Sequence, residues 1–206
     1  MPFWRRRSTD SKPKETPELD AVVRAARALI MELAANHPPS ALEEHAQTLS
    51  NLANYQSQAG NNEKALSIQQ EVVSTWRTLS EDGSDGHKHR LAASLHNLGV
   101  FLYRQGRSAE SLAFVEEAAE IERALYQSNY NAYASDFAMA LSNLSIHRSL
   151  LSRPQKDVLE PQEESVEIRR KLAKSNPAAH GLDLANSLVV ISASYVKSGK
   201  GAALLR

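Results

Sequence analysis

Apolar residues fall at helical intervals along most of the chain. Leu91, Leu95, Leu98 and Leu102 are four, three and four residues apart, the spacing of one buried helix face. Gly106 follows, a residue suited to ending a helix with positive φ. A second stripe carries Leu112, Val115, Ala118, Ala119 and Leu125, which places Glu116, Glu117, Glu120, Glu122 and Arg123 on its wet side. Ser40-Ala-Leu-Glu43 after Pro38-Pro39 reads as a capping box, and Thr16-Pro17 as another helix start. The pattern predicts helices near 17–35, 41–58, 62–80, 90–105, 109–127, 135–151, 162–175 and 182–197. Pro161 is expected to break or delay the helix it falls in, leaving Gln155 to Glu160 as a separate turn. The stretches Ser80–His89 and Gln127–Ala134 are expected to be the softest loops. No segment sustains a period of two, so strands are not expected.

The pattern also repeats at long range. Thr48-Leu-Ser-Asn-Leu-Ala53, Ser94-Leu-His-Asn-Leu-Gly99 and Ala140-Leu-Ser-Asn-Leu-Ser145 align without gaps, so Asn51, Asn97 and Asn143 stand 46 residues apart. Ser187-Leu-Val-Val-Ile-Ser192 is a degenerate fourth copy without the Asn. Leu33, Leu79, Leu125 and Leu172 keep the same rhythm, at intervals of 46, 46 and 47. Each unit reads as two amphipathic helices, and one pair cannot cover its own apolar stripe. Neighbouring pairs must therefore stack into a continuous core.

Asn97-Leu98-Gly99, Leu102, Gly106-Arg107, Ser111-Leu112 and Ala118 resemble the tetratricopeptide repeat (TPR). The 46-residue period is longer than the usual one and is similar to the long-repeat type of kinesin light chains. It is similar too to the tandem arrays of large bacterial and fungal signalling proteins. The resemblance covers about residues 17–205 and implies an all-α, right-handed superhelical solenoid of antiparallel helix pairs. The division expected is a disordered basic tail at 1–16 and a repeat domain at 17–206, with about three full repeats and partial ones at both ends. Gly99, Ala65 and Ala118 are the small residues that let paired backbones approach. Arg148 and Ser152 replace an apolar residue and the turn Gly, which implies a distorted third turn. Gln56 replaces another apolar residue, with Tyr55 expected to compensate. Both ends of the array, Ala202-Ala-Leu-Leu205 among them, are expected to expose apolar surface.

Charge and composition then narrow the function. Twenty-four basic and twenty-four acidic residues balance, which removes the electrostatic case for nucleic acid or an anionic membrane as principal ligand. There is no Cys, so thiol chemistry and Cys-ligated metal are excluded. No apolar run reaches the roughly 18 residues of a membrane span. Met1-Pro-Phe-Trp-Arg-Arg-Arg7 has the wrong order for a secretory signal, so a cytoplasmic or nuclear location is expected.

Candidate chemistry is sparse. His87-Lys-His89 reads as a solvated pair and not a metal site, since two His without a third ligand are a weak donor set. Gly199-Lys200-Gly201 lacks the rest of a phosphate loop, and Asn143-Leu-Ser145 matches a glycosylation sequon inside a predicted helix. The Glu116–Glu122 run reads as a solvated face. No cofactor, metal or active site is expected, and the chain reads as a binding scaffold and not an enzyme.

The TPR resemblance places the Asn column on the first helices, which line a concave groove. Asn amides there can clamp an extended peptide backbone. The candidate peptide-binding residues are Asn51, Asn54, His96, Asn97, Arg104 and Asn143. With Gln47, Ser50, Gln58 and Lys197 they make a polar, mildly basic lining, suited to a peptide with acidic character. The alternatives are a regulatory repeat fragment of a larger signalling ATPase or CHAT-type protease, and a structural module that self-associates through exposed repeat ends.

Overall fold

The computed structural model describes residues 39–199. The expected tail at 1–16, the opening helix at 17–35 and Ala202–Leu205 lie outside the described residues. Among the described residues seven helices follow one another: α1 Pro39–Gln58, α2 Asn62–Ser80, α3 Asp85–Arg104, α4 Ser108–Ser128, α5 Tyr130–Leu150, α6 Gln155–Ser175 and α7 Pro177–Lys197. No strand occurs among the described residues. Each helix packs chiefly on the one before it and the one after it in the chain. α1/α2, α3/α4 and α5/α6 are the repeat units, and α7 opens the next.

The predicted stripes are the buried ones. Leu91, Leu95, Leu98 and Leu102 of α3 are buried, as are Leu112, Val115, Ala118, Ala119 and Leu125 of α4. A leucine fully removed from water contributes about 1.5–3 kcal/mol. The core has no single centre. One apolar cluster runs through α1 to α4, and smaller ones join α4 to α5, α5 to α6, and α6 to α7. Burial is thus supplied by neighbours along the array, as stacked pairs require. The close approach expected at Gly99 is present: a Cβ there would lie 2.6 Å from Val115 Cγ2. Ala65 and Ala118 are buried between helices as expected.

The turn inside each unit has one design. In the second, Gly106 N–H donates to Tyr103 O and Arg107 N–H to Leu102 O, the hydrogen-bond pair of a Schellman motif. The first repeats it with Gly60 to Ser57 and Asn61 to Gln56. So does the third, with Ser152 to Ser149 and Arg153 to Arg148. The third turn is therefore not distorted. Ser152 adopts φ 52°, the conformation that Gly60 and Gly106 reach at φ 83° and 76°. The compensation expected of Tyr55 does not occur, since Tyr55 is exposed while Gln56 is buried. Gln56 Oε1 instead accepts from Asn61 Nδ2 at 2.7 Å.

The turns between units are shorter than expected. α3 begins at Asp85, so His87 and His89 are helical. Between α4 and α5 only Asn129 is non-helical, and its side chain accepts from Ala132 N–H as an N-cap. Asn176 caps α7 in the same way through Ala179 N–H. Pro161 does not break its helix: α6 runs unbroken through it. Proline removes the N–H that would bond Asp157 O, and Arg148 Nη1 donates to that oxygen at 3.2 Å.

Candidate functional site

α3 and α5, the first helices of the second and third units, flank a groove of about 380 Å³ with α4 as its floor. Asn97 and Asn143 both line it, one from each wall. Both occupy the same register of their unit, so the stacking that builds the core also brings the two amides to one cleft. Apolar surface comes from Ala92, Ala93, Val115, Ala118, Ala140 and Met139, the last 52% exposed. One unit further on, Ser142, Gln162, Ser165, Arg169, Ser187 and Val190 enclose a smaller cleft of about 100 Å³ between α5, α6 and α7.

The charged members of the larger groove are His89, Glu122 and Asp136, with His96 beside them. His89 Nδ1 is 2.8 Å from Glu122 Oε1. That hydrogen bond holds the imidazole pKa above its ordinary value, against burial and with a further contribution from the Asp136 charge. Glu122 is only 4% exposed, and its Oε2 has no hydrogen-bond partner among the described residues. His96 behaves oppositely, because burial pushes its pKa down, assisted by the neighbouring His147. The two rings meet edge to face with centroids 6.2 Å apart. His147 is buried and also held below the ordinary imidazole value by that burial. Ser111 Oγ donates its one proton to Gly99 O at 2.7 Å and lies 2.8 Å from His147 Nδ1. The ring proton therefore resides on Nδ1 and is donated to the serine oxygen.

Of the six candidate residues, His96, Asn97 and Asn143 meet in this groove. Asn51 and Asn54 do not line it; both are exposed on α1, where Asn51 Oδ1 accepts from Gln47 Nε2 at 3.4 Å. Arg104 does not line it either, since its Nη1 donates to Ser57 Oγ on α1 at 2.9 Å. The cleft is thus acidic, with Glu122 and Asp136, and not mildly basic as expected.

Two further expectations are corrected. His87 and His89 are not a solvated loop pair: His87 bonds Asp82 and Glu43 at 2.9 Å each, and His89 bonds Glu122. The glutamate run is not a free solvated face. Glu116 pairs with Arg148, Glu117 with Arg77, and Glu122 is buried. The signal for Glu122 was present, because it stands seven, four and three residues after Val115, Ala118 and Ala119, on the core stripe itself. Among the described residues no three His, Asp or Glu are placed to hold a metal ion. No described helix is long and apolar enough to cross a membrane.

Comparison with known proteins bears on the same architecture. The tetratricopeptide repeat family matches residues 45–87 and 91–129. No curated protein sequence matches the chain. Among solved structures, BtubC (BKLC) from P. vanneervenii superposes with a TM-score of 0.62 at 18% identity, covering 91% of this chain and 70% of its own. At that identity the likeness speaks for the fold. Residues 45–87 and 91–129 thus match the tetratricopeptide repeat, within an all-α solenoid of stacked helix pairs.

Proposed function

We propose that the chain is a protein-interaction scaffold that holds an extended peptide segment of a partner in the groove between α3 and α5. The repeats and their fold support a scaffold in general terms. The observation that carries the finer reading is the pairing of Asn97 and Asn143 in one cleft, beside an exposed methionine. A backbone laid between two carboxamides can be bonded through both its N–H and C=O groups, whatever its side chains. The cleft is open and floored by apolar atoms, which suits a binding surface. The test is selection of a random-sequence peptide display library on the full chain. Asn97→Ala with Asn143→Ala is expected to weaken the selected peptides about tenfold or more, a usual effect for central contacts. Peptides that bind both forms equally would remove the groove from the account.

A second reading, self-association, has one observation in its favour. Leu182, Val189 and Val196 form an exposed stripe on α7, at 75%, 71% and 70% exposure. They stand in the register of His89, His96 and Tyr103, which in α3 meet Tyr133 and His147 of the following first helix. Light scattering of the chain and of Val189→Glu tests it: an assembly that the substitution dissolves supports this reading, and a monomer in both ends it.

A further inference from the structure

We infer that the α3–α5 groove reads a cationic side chain, a lysine or arginine, on the segment it holds. This rests on the peptide-groove reading above and adds the chemistry of the partner.

Glu122 is the first reason. A carboxylate 4% exposed ordinarily has both oxygens bonded, yet only Oε1 is engaged, by His89, while Oε2 lines up with nothing among the described residues. Glu122 borders the groove, so a buried acceptor that lacks a donor stands in its wall. The second reason is charge. Asp136 borders the same cleft from α5, half-buried, and its field is felt at both His89 and Tyr133. Against these two carboxylates the cleft supplies two imidazoles: His89, already paired with Glu122, and His96, whose pKa burial pushes down. The third reason is shape. Ala92, Ala93, Ala118 and the exposed Met139 give apolar contact along the approach, which fits the methylene stem of a long cationic side chain whose head continues to the carboxylates. A carboxylate on the partner would instead meet Glu122 and Asp136 with like charge. The arrangement therefore selects for a cation and against an acidic segment.

The test uses the full chain and a random-sequence peptide display library, followed by binding of individual synthetic peptides. Lys or Arg should be enriched at one position of the peptides selected. Replacing that residue by Gln should weaken binding about tenfold on the unaltered chain, and by much less on Asp136→Asn or Glu122→Gln. Asp136→Asn leaves the His89–Glu122 pair in place and so keeps the test valid if Glu122→Gln fails to fold. Peptides that need Asn97 and Asn143 but show no basic preference, or an acidic one, overturn this inference and leave the groove reading standing. Peptides indifferent to Asn97 and Asn143 overturn both.

Discussion

Arg148 Nη1 donates at 3.2 Å to the carbonyl oxygen of Asp157, the acceptor that Pro161 leaves without its helical N–H. The two departures from the repeat pattern thus explain each other, with a donor from α5 replacing the one lost in α6. Arg148→Met should cost about 1–2 kcal/mol, the usual consequence of leaving a part-buried acceptor bare. In a Pro161→Ala background the same replacement should cost clearly less, because residue 161 then supplies the N–H. Urea unfolding of the four proteins measures the coupling, and purely additive effects would contradict the assignment.

Ser152 holds the left-handed turn that glycine holds in the other units. Ser152→Gly should raise stability by about 0.5–1 kcal/mol, since a side chain is disfavoured at that φ. Gly106→Ala should lower it by a similar amount. Opposite shifts in thermal midpoint are the expected readout, and a destabilised Ser152→Gly protein would contradict the account.

Gly99→Ala forces a methyl to within 2.6 Å of Val115 Cγ2, with Ser111 O only 3.2 Å away. Such overpacking should cost about 1–3 kcal/mol. Val115→Ala in the same chain should recover part of that loss, because it removes the nearest atom. Denaturant midpoints of the single and double variants decide the matter.

His87 bridges two carboxylates, Nδ1 to Asp82 and Nε2 to Glu43. The bond to Glu43 is the largest reason that its pKa is raised, followed on the same side by Asp82. A raised folded-state pKa means the pairing contributes fully below the unfolded value of about 6.5 and is lost as pH rises through the folded one. His87→Asn should therefore cost more stability at about pH 5.5 than at about pH 8.5. Equal costs at both values would show that the imidazole is not charged in the folded chain.

The repeat was legible because it is written in residues that stacking requires: the Asn-Leu pairs, the turn glycines and the buried leucines recur in one register. Helix existence and the meeting of Asn97 with Asn143 followed from that register. The junctions were less legible. Asn129 ends one helix and caps the next, so a stretch of polar residues that resembles a loop is almost wholly helical. The Pro161 helix was illegible locally, since the compensating donor lies thirteen residues upstream on another helix. Glu122 was misread by residue type, although its position on the core stripe was in plain view. The sign of the groove's charge was lost with it.

Each helix of the array touches little beyond its two neighbours in sequence. Such a chain should answer a lengthwise pull as a spring more than as a pebble, yielding step by step along the array. Slow amide exchange should accordingly extend over α2 to α6, each of which packs on a described helix at both sides, and be weaker in α7.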